Sequence, residues 1–310
     1  MEKMKAVICT KYGPPEVLQV REVETPQPKD NEVMVKIHAT SVTASDCIIR
    51  GFKLPVSMWI PARLALGLTR PRKAILGLVL SGEIEKTGEN VTQFKKGDKV
   101  FAHTLFQFGA YAEYICVREA SAIALMPFNA SFEEAVAIPF GGTLALYYLE
   151  KANIQKGQKV LIYGASGAIG TSAVQLARHF GAEVTGMCST ANLDLVRSLG
   201  ADILIDYTKE DFTDSRKQYD LIFDAVGKKK SSHLPYKKAL NPNGKFISVD
   251  DDSPGKRAVC KANLIILKEL TEKGILKPVI DKIYPLDQIV DAHRYVDKGH
   301  KKGNVIITVK

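Results

Sequence analysis

Three glycines, at positions 164, 167 and 170, constrain this chain more than any other feature of its sequence. The apolar run 160–163 before them has the pattern of a buried strand. The segment 171–180 after them repeats apolar residues at helical spacing and ends at Gly181. Strand, glycine turn and helix is the layout of a dinucleotide-phosphate site, because the backbone can approach a pyrophosphate and free helical N–H groups accept an anion. The spacing G-x-x-G-x-x-G is not the commonest form of this motif, and a plain strand–helix turn is the alternative interpretation.

Length and composition indicate an ordinary globular protein of two domains. The chain has 310 residues, of which 45% are hydrophobic and 25% are charged. No apolar run approaches the roughly 20 residues needed to span a bilayer, and residues 1–9 do not have the pattern of a secretory signal. The five cysteines are scattered without metal-binding or redox spacing: Cys9, Cys47, Cys116, Cys188 and Cys260. We therefore expect a cytoplasmic protein without a cysteine-bound metal.

The net charge of +9 admits several interpretations. It suits an anionic ligand such as a phosphorylated cofactor, a membrane surface, nucleic acid, or simply a solvated basic surface. The cations are spread along the chain and form no patch interleaved with aromatic residues, which single-stranded nucleic acid requires. We expect no nucleic-acid partner.

The first 125 residues are predicted to be mainly β. Short alternating segments, such as 17–23, 32–39 and 111–117, are separated by glycine and proline, which is typical of a small barrel. Residues 51–76 interrupt this pattern with an apolar, basic and proline-rich stretch that holds the only tryptophan. This stretch is predicted to be a lid over an apolar substrate, a loop and helix packed on the barrel, or a membrane-contacting surface.

From about residue 127 to residue 278, predicted strands and helices alternate. The strands are predicted at 159–164, 182–187, 203–207, 219–226 and 244–250, and the helices at 132–150, 167–180, 192–198, 232–240 and 260–273. This alternation indicates a doubly wound parallel sheet with helices on both faces, so the fold class is α/β. The tail 303–309 has the pattern of a strand that returns to the first domain.

Several motifs together resemble the medium-chain dehydrogenase/reductase superfamily, and within it the zinc-independent quinone oxidoreductase (zeta-crystallin-like) branch. The matching segments are GDKV at 97–100, GAYAEY at 109–114, IPFGGTLA at 138–145, GADILIDY at 200–207 and DAVG at 224–227. The resemblance implies a GroES-like β-barrel domain, residues 1–126 with 279–310, and a Rossmann domain, residues 127–278. It also implies hydride transfer from a nicotinamide cofactor in the cleft between them, and a homodimer.

Three positions depart from the zinc-dependent members of that superfamily. Where those enzymes have a Cys, a His with a following Glu, and a Cys or Asp, this chain has Thr43, Leu78 with Val79, and Pro139. A catalytic zinc needs three protein ligands from Cys, His, Asp or Glu. We therefore expect no metal site.

The cofactor is predicted to be NADPH. A carboxylate at the end of the second Rossmann strand would bind the ribose of NAD and exclude a 2′-phosphate, but residues 184–192 contain no acid. Ser189 and Thr190 offer hydroxyl groups there, and the resemblance places Tyr207 against the phosphate. Relatives carry a lysine near position 191, and Arg197 is the candidate to replace it.

The resemblance also assigns the remaining site residues. Thr43 takes the vacated metal position and faces the nicotinamide, with Ser45 nearby, and the proton donor is Thr43, Ser45 or water. The predicted cofactor-binding residues are Thr143, Gly164, Ala165, Ser166, Gly167, Ala168, Ile169, Gly170, Ser189, Thr190, Tyr207, Val226, Gly227 and Ser248. The leading hypothesis is an NADPH-dependent reductase of quinones or α,β-unsaturated carbonyls. The alternatives are an enoyl-thioester reductase and a non-catalytic NADPH-binding or membrane-associated protein.

Overall fold

A computed structural model describes residues 2–212, 218–231, 235–252 and 254–309. The strands are β1 Lys3–Cys9, β2 Leu18–Glu24, β3 Glu32–Val42, β4 Val79–Thr87, β5 Lys99–His103, β6 Tyr114–Arg118, β7 Ile123–Leu125, β8 Lys159–Tyr163, β9 Glu183–Cys188, β10 Ile203–Asp206, β11 Tyr219–Asp224, β12 Leu240–Ser248, β13 Ile280–Pro285 and β14 Asn304–Thr308. The helices are α1 Ala44–Gly51, α2 Trp59–Leu66, α3 Phe132–Val136, α4 Pro139–Ala152, α5 Ala168–His179, α6 Leu193–Ser198, α7 Lys228–Ser231, α8 Lys261–Glu272 and α9 Ile289–Asp297.

The first domain is built around the long strand β3. Within the described residues, a seven-stranded sheet runs in the order β13-β14-β3-β4-β5-β7, with β6 also paired to β3. The C-terminal strand β14 is antiparallel to β3, with Val305 opposite Val42 and Ile306 opposite Ser41. The prediction that the tail returns to the first domain is therefore confirmed.

The second domain contains the predicted parallel sheet. Its order in the described part of the chain is β10-β9-β8-β11-β12, and every neighbouring pair is parallel. The central strand β8 buries Val160, Leu161 and Ile162 completely, because helices cover both faces of the sheet. The α/β fold with a Rossmann sheet is confirmed.

Two predicted helices differ from the structure. The helix predicted at 132–150 is two helices, α3 and α4, because Pro139 has no backbone N–H with which to continue the hydrogen bonds of α3 and stands instead at the start of α4. Residues 232–234 of the helix predicted at 232–240 lie outside the described residues. Tyr236–Ala239 form only a single 3₁₀ turn, and β12 begins directly after it at Leu240 instead of at 244. The ring of Tyr236 stacks on Phe246 at 3.9 Å, which packs this turn onto β12.

The apolar stretch 51–76 contains a short 3₁₀ turn, Val56–Met58, and helix α2. The inner side of α2 is packed on the barrel: the Arg63 guanidinium lies 4.0 Å from the centre of the Phe52 ring, and the Tyr12 hydroxyl donates to the Gly67 carbonyl at 3.0 Å. Among the described residues, no helix combines the length and apolar character needed to cross a bilayer.

Candidate active site

The carboxyl ends of all the parallel strands meet at one edge of the sheet, and the predicted cofactor residues follow them. Gly164 follows β8, Ser189 follows β9, Tyr207 follows β10 and Val226 lies just after β11. Ser248 is the last residue of β12. In open α/β sheets ligands bind at this edge, where the strand order reverses. The reversal lies between β8 and β11, so Gly164 and Val226 flank it.

In the glycine turn, residues 164–170, two positions do not admit a side chain. Gly164 has φ +76°, and a Cβ there would overlap the Val226 side chain. A Cβ on Gly170 would overlap the Gly164 carbonyl oxygen, so α5 can start only this close to β8 with glycine at 170. The backbone N–H groups of residues 168–170 have no acceptor within their own helix, because they belong to its first turn. This cradle fits the diphosphate of a dinucleotide.

A buried carboxylate that sequence reasoning missed fixes the opposite wall. Asp224 is fully buried and accepts from the N–H groups of Val226 at 2.9 Å and Gly227 at 3.0 Å. Its other oxygen accepts from the hydroxyls of Ser231 at 2.6 Å and Ser248 at 2.9 Å. Ser248 therefore uses its hydroxyl proton to hold the turn at 226–227, and its predicted contact with the cofactor stays a prediction. The DAVG motif at 224–227 contains Asp224, but the motif alone did not reveal this role.

A second missed residue, Asn192, ties the glycine turn to the end of β9. Its side-chain amide donates to the Ser166 hydroxyl at 3.1 Å and the Ser189 hydroxyl at 3.2 Å. Its Oδ1 atom is buried and has no hydrogen-bond partner among the described residues. A buried acceptor without a donor is unfavourable, so the two hydrogen bonds that the amide group donates are what fix Asn192 in this position.

The adenosine end of the site contains an acid after all, contributed by the third strand. The Thr190 hydroxyl donates to Asp206 Oδ2, and the Thr208 hydroxyl donates to Oδ1 at 2.6 Å. These hydrogen bonds, that from Thr190 first, hold the pKa of Asp206 below its usual range. The ring of Tyr207 is half-exposed beside this cluster and lies edge-on to Tyr163 at 6.4 Å.

Arg197 lies in the last turn of α6, whereas Ser189 and Thr190 precede the start of that helix. Its guanidinium faces Asp194 at 3.4 Å and lines a surface cleft with Arg178, His179 and Lys277. Arg178 and His179 end helix α5, so this cleft is at the amino ends of the strands, opposite the glycine turn. The prediction that Arg197 replaces the missing lysine does not fit this geometry.

Helix α4 brings Thr143 to the glycine turn. A Cβ on Gly141 would overlap the Ala168 carbonyl oxygen, so α4 crosses the start of α5 at close contact. Thr143 is fully buried, and its hydroxyl donates to the Pro139 carbonyl at 2.7 Å. Its predicted contact with the nicotinamide stays a prediction.

The predicted catalytic residue Thr43 is the N-cap of helix α1 and is coupled to a buried carboxyl. The Thr43 hydroxyl donates to Asp46 Oδ2 at 2.6 Å, and the Asp46 N–H donates to the same hydroxyl oxygen at 3.2 Å. Burial raises the pKa of Asp46 to about 6, although the hydrogen bond from Thr43 lowers it. Ser45 is half-buried in the first turn of the same helix. We call Thr43 and Asp46 together the Thr43 corner.

Strand β14 connects the Thr43 corner to the glycine turn. Val305 pairs with Val42, the residue before Thr43. Two residues earlier, the Gly303 N–H donates to the Ser166 carbonyl at 2.8 Å. Two residues of extended chain span roughly 7 Å. The corner and the cradle therefore face one another across the boundary between the domains.

The positions that hold zinc in related enzymes have no metal-binding side chains here. Thr43 caps α1, Leu78 is buried in an apolar cluster with Phe108 and Phe140, and Pro139 opens α4. No group of three or more His, Cys, Asp or Glu side chains that would hold a metal occurs in the described ranges. The donor set does not fit a catalytic zinc.

Two family models match this chain, one in each half. Residues 29–127 match the alcohol dehydrogenase GroES-like domain, and residues 168–290 match the zinc-binding dehydrogenase model. The second model is named for zinc, yet Thr43, Leu78 and Pro139 supply no ligand for it in this chain.

Individual relatives match along nearly the whole length. The chain is 35% identical to a 2-methylene-furan-3-one reductase of Solanum lycopersicum, covering 98% of this chain and 79% of that protein. It is 32% identical to an NADPH-dependent alkenal/one oxidoreductase, chloroplastic, of Arabidopsis thaliana, covering 99% and 80%. Among solved structures, the quinone oxidoreductase from Coxiella burnetii superposes with a TM-score of 0.87 over 100% of both chains at 28% identity.

Proposed function

The chain belongs to the zinc-independent quinone oxidoreductase branch of the medium-chain dehydrogenase/reductase superfamily, and on that premise we propose how it works. It is an NADPH-dependent oxidoreductase that transfers hydride to quinones or α,β-unsaturated carbonyl compounds. The observation that carries this conclusion is the glycine turn: Cβ atoms on Gly164 and Gly170 would overlap neighbouring protein atoms, and the first turn of α5 leaves the N–H groups of 168–170 free for a dinucleotide diphosphate.

NADPH, when bound, supplies the hydride. The residues of this chain would hold and orient it: the N–H groups of 168–170 would bind the diphosphate, and the buried Asp224 keeps the 226–227 turn in place. Ser189, Thr190 and Tyr207, which follow β9 and β10, would hold the adenosine end of the cofactor. Because the site has no zinc ligand set, positioning of donor and acceptor is the protein's main contribution to the rate.

The proton that completes the reduction comes from the Thr43 corner. Addition of hydride to the β-carbon of an enone leaves an enolate, and a quinone likewise gains negative charge on oxygen. The Thr43 hydroxyl carries a proton that it donates to Asp46 at rest. We propose that this hydroxyl passes its proton to the substrate oxygen. The protonated carboxyl of Asp46 then gives its own proton to the Thr43 oxygen and becomes a carboxylate. Ser45, half-buried in the same turn, stands near this path and is the second candidate donor.

The test is a substrate panel at saturating NADPH, with the loss of NADPH absorbance followed by stopped flow. We expect oxidation of NADPH by a quinone and by a 2-alkenal or enone, and no oxidation by an enoyl-coenzyme A thioester. Turnover confined to the thioester would identify an enoyl-thioester reductase instead. Binding of NADPH without oxidation by any member of the panel would identify a non-catalytic protein.

The domain boundaries and the dimer are further parts of the proposal. We place the first domain at residues 1–126 and 279–310 and the Rossmann domain at 127–278; β7 ends at Leu125 and β13 begins at Ile280. Strand β12 is the outer strand of the parallel sheet in the described residues, and the homodimer is proposed to form by pairing of this edge with its copy. Analytical ultracentrifugation measures this directly, and a monomer at micromolar concentration would exclude it.

We also propose a reducing, cytoplasmic location. The five cysteines are free thiols, and three of them, Cys9, Cys47 and Cys188, are buried. Proteins of oxidising compartments usually pair their cysteines. Fractionation of cells that produce the protein, with a cytosolic marker as reference, tests this.

A further inference from the structure

An apolar surface around helix α2 is left uncovered by the described part of the chain. Its members are Val56, Met58, Trp59, Ile60, Leu64 and Leu68, which are 48–77% exposed. Val56, Ile60 and Leu64 recur every fourth residue and therefore share one side of this helical stretch. Single exposed apolar side chains are ordinary, but a contiguous group marks an interaction surface.

The charge around these side chains has one sign. The 36 residues between Asp46 and Glu83 contain no acid and six cations. Arg70, Arg72 and Lys73 are exposed and form no ion pair in the parts of the chain that the structure describes. Lys11 lies beside them, because the Cys9 N–H donates to the Ala74 carbonyl at 2.8 Å and Tyr12 reaches Thr69.

The acids that approach this region are already paired. Asp297 binds Arg50 at 2.5 Å and Lys53 at 3.1 Å, and Glu16 binds Arg294 at 2.7 Å. These two acids therefore do not neutralise Lys11, Arg70, Arg72 or Lys73.

The local backbone holds the cations next to the apolar side chains. Gly67 has φ +122°, and a Cβ there would overlap the Arg70 carbonyl oxygen. The Arg72 N–H donates to the Leu66 carbonyl at 2.7 Å, which folds the loop back on the end of α2. Because Arg63 is stacked inward on Phe52, the outward side of the helix is left to the apolar residues.

We propose that the 56–73 surface docks on an anionic lipid bilayer. The apolar side chains enter the boundary between headgroups and acyl chains, and the cations at 11 and 70–73 bind lipid phosphates. The one-signed charge favours this occupant over a second copy of the chain, because two such surfaces would repel one another. Docking at a membrane is independent of hydride transfer, so either conclusion can fail without the other.

Trp59 makes the proposal directly measurable, because it is the only tryptophan of the chain and lies within the surface. The probe is a vesicle of phosphatidylcholine with about 30% phosphatidylglycerol, compared with phosphatidylcholine alone. We expect the anionic vesicle to shift Trp59 emission to shorter wavelength and to carry the protein upward in flotation. Neutral vesicles should bind at least tenfold more weakly.

Two sets of substitutions separate the apolar and the electrostatic parts. Ile60→Asn with Leu64→Asn should abolish the emission shift and the flotation. Arg70→Gln, Arg72→Gln and Lys73→Gln together should weaken binding to anionic vesicles on the order of a hundredfold. The matched control, Lys237→Gln, Lys238→Gln and Lys256→Gln, removes the same charge from exposed residues of the second domain and should bind like the unmodified protein. Thermal unfolding of each variant confirms that it is folded.

Four results would overturn the proposal. The first is an unchanged Trp59 spectrum with no flotation on anionic vesicles. The second is equal loss of binding in the control triple variant, which would mean that only net charge matters. The third is self-association, abolished by Ile60→Asn with Leu64→Asn, in place of vesicle binding. The fourth is an emission shift that follows addition of NADPH and quinone alone, which would identify a lid.

Discussion

The glycine turn and the Thr43 corner are the two sides of the active site that we propose, but the turn depends on the backbone and the corner on side chains. The turn is built from backbone: its function depends on N–H groups at 168–170 and on missing Cβ atoms at 164 and 170. The corner is built from side chains: a hydroxyl and a buried carboxyl joined at 2.6 Å. Binding of the cofactor and delivery of the proton are therefore separable by mutation.

The largest expected effect is on the turn. Gly170→Ala forces a Cβ into the Gly164 carbonyl, which has no flexible side chain to move aside. We expect a loss of about 1–3 kcal/mol or more in the free energy of unfolding, with NADPH binding weakened roughly a hundredfold, about 2.7 kcal/mol. Chemical unfolding and a fluorescence titration with NADPH measure the two effects.

Gly167→Ala is the matched control for this prediction. Its nearest contact would be the Gly164 oxygen at 3.5 Å, an ordinary van der Waals distance, so the variant should fold normally. Any loss of NADPH affinity in Gly167→Ala then reports the approach of the cofactor itself. Equal stability of the two variants would contradict the steric account of the turn.

The turn was the part of the site that the sequence predicted well. No other residue can take the place of these glycines, so the need for a turn without side chains can be read from the sequence as glycine itself. The strand pattern before the glycines and the helix pattern after them locate the turn. The roles of Asp224 and Asn192 were not visible, because a carboxylate or amide can bond in many directions and only the folded sheet selects its partners. Arg197 was misplaced because a position one turn along a helix does not reveal which end of the sheet it faces.

The second prediction concerns the corner. Thr43→Val removes the hydroxyl but keeps the shape, so kcat should fall by about a hundredfold, the usual contribution of a positioned acid. The dissociation constant of NADPH should change little, because the cradle is untouched. Thr43→Ser should restore most of the activity. Steady-state kinetics with a quinone substrate measure kcat, and unaltered turnover in Thr43→Val would remove Thr43 from the mechanism.

Helix α3 supplies a control for the structural cost of losing a cap. Ser131 and Glu134 form the same reciprocal capping box as Thr43 and Asp46. Ser131→Ala should therefore cost about 1 kcal/mol of stability, as Thr43→Val does, while kcat stays unchanged. A comparable fall of kcat in Ser131→Ala would show that the loss in Thr43→Val is merely structural.

The third prediction is a pH dependence that only the corner should show. Asp46 must be protonated to return a proton to the Thr43 oxygen. Burial raises the pKa of Asp46 to about 6. We therefore expect kcat to fall as the pH rises above that value. Tyr111 and Cys47 lie near this carboxyl, and burial raises the pKa of each far above this range. Asp46→Asn should lower kcat and flatten the profile, while NADPH binding stays independent of pH over the same interval.

The same titration affects stability, which gives a readout independent of turnover. Between pH 3.8, the ordinary pKa of an aspartate, and about pH 6, the folded protein keeps a proton on Asp46 that the unfolded chain has released. The free energy of unfolding should therefore decrease as the pH rises through this window, and Asp46→Asn should remove that part of the slope. A profile of kcat that remains sloped near pH 6 in Asp46→Asn would assign the titration to another group.

The smallest expected effects concern the end of the site that we assign to the adenosine, where Tyr207 is half-exposed to solvent. Tyr207→Phe removes one hydroxyl from a half-exposed ring, so the dissociation constant of NADPH should rise about fivefold, one hydrogen bond's worth, while that of NADH is unchanged. Arg197→Gln should change neither constant, because the guanidinium lies in the cleft with Arg178 and His179 at the opposite end of the sheet. A rise for NADPH in Arg197→Gln would mean that α6 brings this cation round to the carboxyl edge when the cofactor binds. In that case a charged side chain would also bind the cofactor. Cofactor binding would then depend on side chains as well as on the backbone of the glycine turn.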